Sequence, residues 1–390
     1  MFKLLKNPFL IYPLGFSLTF LVYSFGWSEL YPDLTWDVKL FFLITFLGFV
    51  FIAILTNSLK LIARTPAKTK VTLIRGCTLI VISLYLFEFL VEKDIPLLAK
   101  LLGREGVAYR EFGVPLLHGI LISFNSFLIA HSFASYMSQK NKKILRLYFL
   151  LYIPALLILN RSIIVFGLLT SLFIFLQYVD KVNSKTKLKL FIIAMAALYL
   201  FGVVGNLRSG GDYIYTQSKA TEEFMESSIP EEYYWTYLYV ASPLANFQNT
   251  INKKLVDEFD FKGFVFYENL PRIISKNLGE PLGIERKDLV RIVPWLTVGT
   301  TYARSYSYLK WGGPYLLFIS NIIIYMMVIF LVPKKSSYHV TMISVLSVIV
   351  LLNIFTNMLI VTGISFQLFY CIVFAFLENK KFIYREPIEV

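Results

Sequence analysis

Long apolar stretches separated by short polar ones run through most of the chain. Six of them come close to the about 20 residues with which an α-helix crosses a bilayer. They cover residues 9–26, 38–56, 71–91, 114–137, 188–204 and 314–332. The first follows Lys3 and Lys6 and is not followed by a small-residue cleavage site, so we expect a retained anchor rather than a signal peptide.

Two apolar runs are longer, at residues 147–178 and 340–377. Each lies between short segments that contain several lysines. Short basic segments stay in the cytoplasm, so each run is expected to cross the membrane and return. This pattern predicts ten crossings with both termini in the cytoplasm.

The distribution of charge agrees with this topology. The segments predicted to be cytoplasmic hold 20 basic and 4 acidic residues, whereas the rest of the chain holds 18 basic and 21 acidic ones. The net charge of +13 therefore follows from membrane orientation, and nucleic-acid binding is not needed to explain it. With 57% hydrophobic residues, the chain is predicted to be an all-α, polytopic transmembrane bundle.

Residues 206–312 form the one long stretch that is not membrane-like, and we call it the hood. It separates an N-terminal bundle (1–205, seven crossings) from a C-terminal one (313–390, three crossings), and the topology predicts that it lies outside the cytoplasm. Within it, Ser228 to Glu231 reads as a capping box, opening a tyrosine-rich helix that ends near Lys253. We expect Pro243 to bend this helix, and its aromatic residues favour a position along the membrane surface.

Motifs for nucleotide binding, metal binding or metal-dependent hydrolysis are absent from the sequence, so neither a metal nor a cofactor is predicted. Arginines at the predicted outer boundary are the most informative feature. Arg161 lies at the tip of the 147–178 hairpin, whose two crossings are short, and a cation in a thinned membrane is costly without an anionic partner. The alternative is that Arg161 reaches the interface or pairs with Glu88 or Glu111.

Four further arginines are candidates for binding an anion at the same boundary. Arg208 follows a glycine-bearing helix end, Arg304 precedes the eighth crossing, and Arg272 and Arg291 lie between them in the hood. For each, the alternative is an ordinary interfacial or solvated arginine. Guanidinium groups that converge at headgroup depth suit a lipid-linked diphosphate, because arginine binds phosphate oxygens in a bidentate way. The diphosphate is a good leaving group once its charge is neutralised.

The chain resembles the oligosaccharide repeat-unit polymerases, the Wzy-type O-antigen polymerases of bacterial surface polysaccharide assembly. The resemblance rests on the number of crossings, on the one large late loop and on local patterns. These are Leu159-Asn160-Arg161-Ser162, Val204-Gly205-Asn206-Leu207-Arg208, Tyr237-Leu238-Tyr239, Pro243-Leu244-Ala245-Asn246-Phe247 and the aromatic stretch 297–313. It implies a fold like that of the GT-C glycosyltransferase superfamily, with a large helical extracytoplasmic loop.

The resemblance also implies the activity. A growing glycan on one undecaprenyl diphosphate is transferred to a fresh lipid-linked repeat unit at the outer leaflet of the cytoplasmic (inner) membrane, as in lipopolysaccharide O-antigen synthesis. Donor and acceptor lipids are then the partners, with membrane lipids around the protein and a chain-length regulator as a candidate partner. Arg161, Arg208 and Arg304 would hold the diphosphates, assisted by Arg272 and Arg291.

A base is needed for the acceptor hydroxyl, and His118 and Glu111 are the candidates near the outer end of the fourth crossing. His118 could instead be a packing residue. Tyr239, Asn246, Asn249 and Tyr302 are candidates for sugar binding, and their alternative role is to pack the hood onto the bundle.

Two other functions fit the same layout. An O-antigen ligase-like transferase would have a similar build. A flippase of lipid-linked oligosaccharide would instead place ionisable residues at the membrane midplane and show repeated halves. The acids and arginines here gather at the outer boundary, which favours an enzyme over a flippase or a scaffold.

Overall fold

The computed structural model describes residues 4–62, 66–104, 111–179, 183–209, 211–253 and 258–383. Every regular element in these ranges is a helix. The α-helices are α1 (Pro8–Tyr23), α2 (Trp36–Ser58), α3 (Val71–Glu92), α4 (Pro96–Leu101), α5 (Leu117–Gln139), α6 (Lys142–Leu150), α7 (Tyr152–Leu157), α8 (Arg161–Tyr178), α9 (Ser184–Ser209), α10 (Gly211–Gln217), α11 (Glu222–Met225), α12 (Tyr233–Asn252), α13 (Phe261–Asn269), α14 (Arg272–Gly279), α15 (Ala303–Leu309), α16 (Gly312–Leu331), α17 (His339–Leu352) and α18 (Thr362–Ile383). Short 3-10 helices cover Leu4–Lys6, Glu280–Leu282 and Met358–Ile360.

Seven helices of the described ranges are long and apolar enough to cross a membrane: α2, α3, α5, α8, α9, α16 and α18. Two further apolar helices, α1 and α17, are shorter, with 16 and 14 residues. The predicted fifth crossing is divided into α6 and α7. The prediction of an all-helical membrane protein is confirmed, and the count of ten crossings stays a prediction.

Helix α5 lies at the centre of the bundle and packs against α3, α8 and α18. It runs parallel to α18, because Ile122 lies beside Gly363 and, further along, the rings of Phe127 and Phe374 stack with centroids 5.4 Å apart. It runs antiparallel to α3, whose last turns reach the first turn of α5. The beginnings of α5 and α18 and the end of α3 therefore meet at one end of the bundle.

The opposite end of the bundle is joined by polar contacts of its own. The side chain of Gln177, at the end of α8, donates to the carbonyl of Lys6 at 2.8 Å. Glu378, late in α18, accepts hydrogen bonds from Ser336 and Ser337, which precede α17. The hood lies at the other end, where the main-chain N–H of Ile273 donates to Thr362 Oγ1 at the start of α18.

Within the hood, α12 differs from the expected surface helix. It spans Tyr233–Asn252 with Pro243 inside it, as expected, but 14 of its 20 residues are buried. Its cap residue is Glu232, and no side chain caps the helix, so the predicted capping box does not form. The aromatic residues are buried because α12 packs against α1, α9 and α15.

Helix α9 stands at the edge of the structure. Only 6% of its apolar stretch is buried, and the described helices that it packs against most are α12 and α10. Gly202 and Gly205 allow this contact, because a Cβ at either position would collide with the carbonyl of Glu232 or with the Trp235 ring. The sequence predicted a helix end near Gly205, whereas α9 continues to Ser209.

Candidate functional site

Three arginines of the hood surround one buried carboxylate. Glu268, in α13, is 1% exposed, and its Oε1 lies 3.6 Å from Arg304 Nη1 of α15. Arg286, in the loop before α15, and Arg272, at the start of α14, also interact electrostatically with Glu268. We call these four residues the arginine cluster. Three guanidinium groups and one carboxylate leave it with a net charge of +2.

Helix α13 is held in place from several sides. The side chain of Asp260 caps its first turn by accepting from the N–H of Gly263 at 2.7 Å, and the N–H of Asp260 donates to the carbonyl of Tyr308 in α15. The side chain of Asn357, between α17 and α18, donates to the carbonyl of Glu268 at 2.6 Å. The position of Glu268 therefore depends on both the hood and the C-terminal bundle.

Burial and charge act against each other in the cluster. Burial raises the pKa of the Glu268 carboxyl above its ordinary value, and Arg304 and Arg286 partly offset that effect. Burial and then Arg304 lower the pKa of the Arg272 guanidinium. Burial, Arg304 and Arg272 together lower the pKa of Arg286 to about 10. At neutral pH Arg286 therefore stays charged, and the repulsion among the arginines favours an additional anion.

A cavity of about 540 Å³ adjoins the cluster. Arg272 and Arg286 line it, together with Lys276, Glu285 and the ring of Tyr267. The opposite charges of Lys276 and Glu285 cancel, so the wall keeps a positive excess from the two arginines. A cavity of this size is within the range of small-ligand sites.

Several polar atoms of the cluster are buried without a hydrogen-bond partner in the described structure. They are Nε of Arg304, Nη2 of Arg286 and Oε1 of Glu268. Buried polar groups normally have partners, and an unpaired one costs free energy. An anionic ligand would satisfy these two guanidinium donors once the side chains turn toward it, because both atoms are buried.

A second ionisable pair lies at the start of α5. His118 Nδ1 is 2.8 Å from Oε2 of Glu88, which is fully buried near the end of α3. The ring of Phe112 packs edge-on against the imidazole. Nε2 of His118 is buried and has no partner in the described structure. The carboxylate therefore orients the imidazole and leaves its second nitrogen without a partner in the described structure.

The His118–Glu88 pair and the arginine cluster lie on neighbouring elements. Gly119, which follows His118, faces the side chain of Ile273, since a Cβ on this glycine would lie 3.3 Å from Ile273 Cδ1. Ile273 in turn follows Arg272 at the start of α14. Gly119 and Ile273 are thus in contact, and each is adjacent in sequence to a site residue, His118 and Arg272 respectively.

The structure brings two of the predicted diphosphate-binding arginines together and places Arg161 and Arg291 elsewhere. Arg272 and Arg304 come together, with Arg286 as a third member that was not among the predicted site residues. Arg161 is exposed at the first position of α8, without an ion pair to a described residue. Arg291 is exposed and donates to the carbonyl of Pro294 at 2.6 Å. The side chain of Arg208 lies outside the described residues.

The other predicted site residues have different surroundings. Asn246 is fully buried and forms three hydrogen bonds, two to the carbonyls of Leu296 and Val298 and one from the N–H of Ile292. Tyr302 is 1% exposed and its hydroxyl lies 2.9 Å from that of Tyr12.

These placements of Asn246 and Tyr302 favour the alternative role, packing the hood onto the bundle. Tyr239 is 41% exposed, Nδ2 of Asn249 is buried without a partner in the described structure, and Glu111 is exposed. These three residues stay candidates.

Three residues of these two clusters were not among the predicted site residues: Arg286, Glu268, which pairs with Arg304, and Glu88, which pairs with His118. Arg286 belongs to the arginine-rich second half of the hood, so its residue type was a usable signal. Glu268 and Glu88 lack a local signal, because their partners are 36 and 30 residues away in the chain. None of the protein families, curated proteins or solved structures with which the chain was compared matches it.

Proposed function

We propose that the chain is a glycosyltransferase that joins undecaprenyl-diphosphate-linked oligosaccharide repeat units into a surface polysaccharide, at the outer leaflet of the bacterial cytoplasmic membrane. The observation that carries the proposal is the arginine cluster. Arg272 and Arg286 line a cavity at one end of a bundle of apolar helices, and Arg304 pairs with Glu268 of the same cluster. Guanidinium groups in this arrangement suit a diphosphate presented by a lipid. Ten crossings with both termini inside would place this end outside the cytoplasm.

The chemistry follows from the two parts of the site. Arg272, Arg286 and Arg304 neutralise the diphosphate of the donor and so stabilise it as a leaving group. The acceptor hydroxyl attacks the anomeric carbon, the bond from that carbon to the diphosphate oxygen breaks, and undecaprenyl diphosphate leaves with the bonding electron pair. His118, oriented by Glu88, takes the proton of the hydroxyl at Nε2.

Reconstitution tests the proposal directly. The purified chain is placed in proteoliposomes with purified lipid-linked repeat units, and the products are separated by size. We expect a ladder of polymer, and its loss in an Arg272→Ala, Arg286→Ala double variant. Transfer of single units to a lipid A core would indicate the ligase-like alternative. Movement of the lipid across the bilayer without new glycosidic bonds would indicate a flippase. Either result would overturn the proposal.

A further inference from the structure

Glu268 is the one acidic residue in the arginine cluster, and its place there needs an explanation. A site built only to bind a diphosphate would gain affinity without it. The carboxylate is almost fully buried, and its backbone is tied to Asn357. Its main chain is therefore fixed beside Arg304, and an arriving anion would compete with the carboxylate for the guanidinium donors of Arg304.

The pairing between Glu268 and Arg304 is loose. The two charged atoms are 3.6 Å apart, whereas a good hydrogen bond between a guanidinium and a carboxylate is about 2.7–2.9 Å long. Arg304 also keeps a buried Nε without a partner in the described structure, and its side chain is 17% exposed. Arg304 can thus turn its donors from Glu268 to a ligand at small cost.

The charges of the cluster also match a particular ligand. Its net charge is +2 with Glu268 ionised. A diphosphate esterified at both ends carries about one negative charge on each phosphate, which this excess would neutralise. Without Glu268 the cluster would have a charge of +3 and would hold the released diphosphate, which bears an additional negative charge, more tightly.

We propose that Glu268 competes with the bound diphosphate for Arg304 and thereby limits the affinity of the site, so that the product can leave. The inference rests on the proposed function for the identity of the ligand. Without a ligand, Arg304 is paired with Glu268. When the diphosphate binds, Arg304 turns to it, and when the transfer is complete Glu268 takes Arg304 back.

The test is the binding of inorganic pyrophosphate to the full-length protein in nanodiscs of neutral lipid, measured by calorimetry. We expect Glu268→Gln to bind pyrophosphate about tenfold more tightly than the unmodified chain, because one competing charge is gone. Glu285→Gln is the matched control, since it removes a carboxylate from the cavity wall that is not paired with Arg304. We expect a change of less than about threefold there.

Glu268→Asp keeps the charge and shortens the side chain, and we expect an intermediate affinity. Equal or weaker binding by Glu268→Gln, in protein that is monodisperse, would overturn the inference. Repeating the titration with a short-chain prenyl diphosphate and with vesicles of anionic phospholipid separates a lipid-linked diphosphate from free pyrophosphate and from ordinary headgroups. If pyrophosphate binding survives Arg272→Ala with Arg286→Ala, the diphosphate site itself is wrong, whatever Glu268 does.

Discussion

His118 Nδ1 lies 2.8 Å from Oε2 of a fully buried glutamate, Glu88, on a different helix. A carboxylate in that position accepts the Nδ1 proton and so fixes the tautomer of the ring, which leaves Nε2 as the acceptor nitrogen. The pair accordingly has the geometry of a general base and the residue that positions it.

Replacement of His118 by Gln should lower the rate of polymer formation by about 10²–10⁴-fold, the usual contribution of a general base. Glu88→Gln should lower it too, because the ring loses the carboxylate that orients it. The rate is measured with purified lipid-linked repeat units. His339→Gln is the control: this buried histidine, at the other end of the bundle, bonds to the carbonyl of Val332. A rate that Glu88→Gln leaves unchanged would assign the pair to packing.

The arginine cluster predicts a second set of variants. Arg272→Ala, Arg286→Ala and Arg304→Ala should each weaken pyrophosphate binding by about 10- to 100-fold, which corresponds to the loss of one hydrogen bond to a charged group. Arg291→Ala should bind as the unmodified chain does, because this arginine is exposed and donates to the carbonyl of Pro294. An equal loss in Arg291→Ala would mean that overall charge, and not the cluster, attracts the anion.

Asn246 should be needed for stability and not for sugar binding. Asn246→Ala leaves three main-chain groups, one buried and two part-buried, without their partners, so we expect it to lower the free energy of unfolding by about 2–4 kcal/mol. Asn277→Ala, at an exposed asparagine that donates to the carbonyl of Ile273, should change it by less than about 0.5 kcal/mol. Thermal unfolding in detergent measures both. A stable Asn246→Ala protein that lacks activity would return Asn246 to the sugar site.

The contact between α9 and α12 should depend on the two glycines of α9. Gly202→Ala and Gly205→Ala place a methyl group against Glu232 and Trp235, and overpacking of this kind costs about 1–3 kcal/mol. Gly76→Ala is the control, because a Cβ at that position in α3 meets nothing within 4 Å. It should be neutral or stabilise the helix by up to about 1 kcal/mol. Similar melting temperatures for all three variants would show that α9 does not need this close approach.

Much of the fold could be predicted from the sequence because the length of an apolar stretch sets the length of the helix that it forms across a membrane. The second and third crossings, predicted at 38–56 and 71–91, correspond to α2 (Trp36–Ser58) and α3 (Val71–Glu92). The fifth did not form a single helix. Pro154 lacks an N–H and disfavours a continuous helix, and the chain is divided at Leu151 into α6 and α7. The fourth starts late, at Leu117, because Pro115 and the positive φ of Leu116 precede it.

The candidate site could be predicted only in part, because its pairs join distant segments. Arginine as a residue type indicated Arg272 and Arg304, but Glu268 faces them only after α13, α14 and α15 have packed together. The surroundings of Asn246 could not be predicted for a different reason. An amide suits a sugar hydroxyl and a buried loop equally well, and only the fold shows that Leu296 and Val298 use it. The roles given to Arg161 and Arg208 stay predictions.

Helix α9 has a consequence for work with the purified protein. With only 6% of its apolar stretch buried in the described structure, the face of α9 that does not contact α12 is left for the acyl chains of a membrane. Small, harsh detergents would remove these acyl chains first at α9. The contact of Gly202 and Gly205 with α12 would then weaken, and with it the packing of the aromatic residues beneath α12. We therefore expect the hood to keep its packing against the bundle when the protein is purified in a bilayer-like disc.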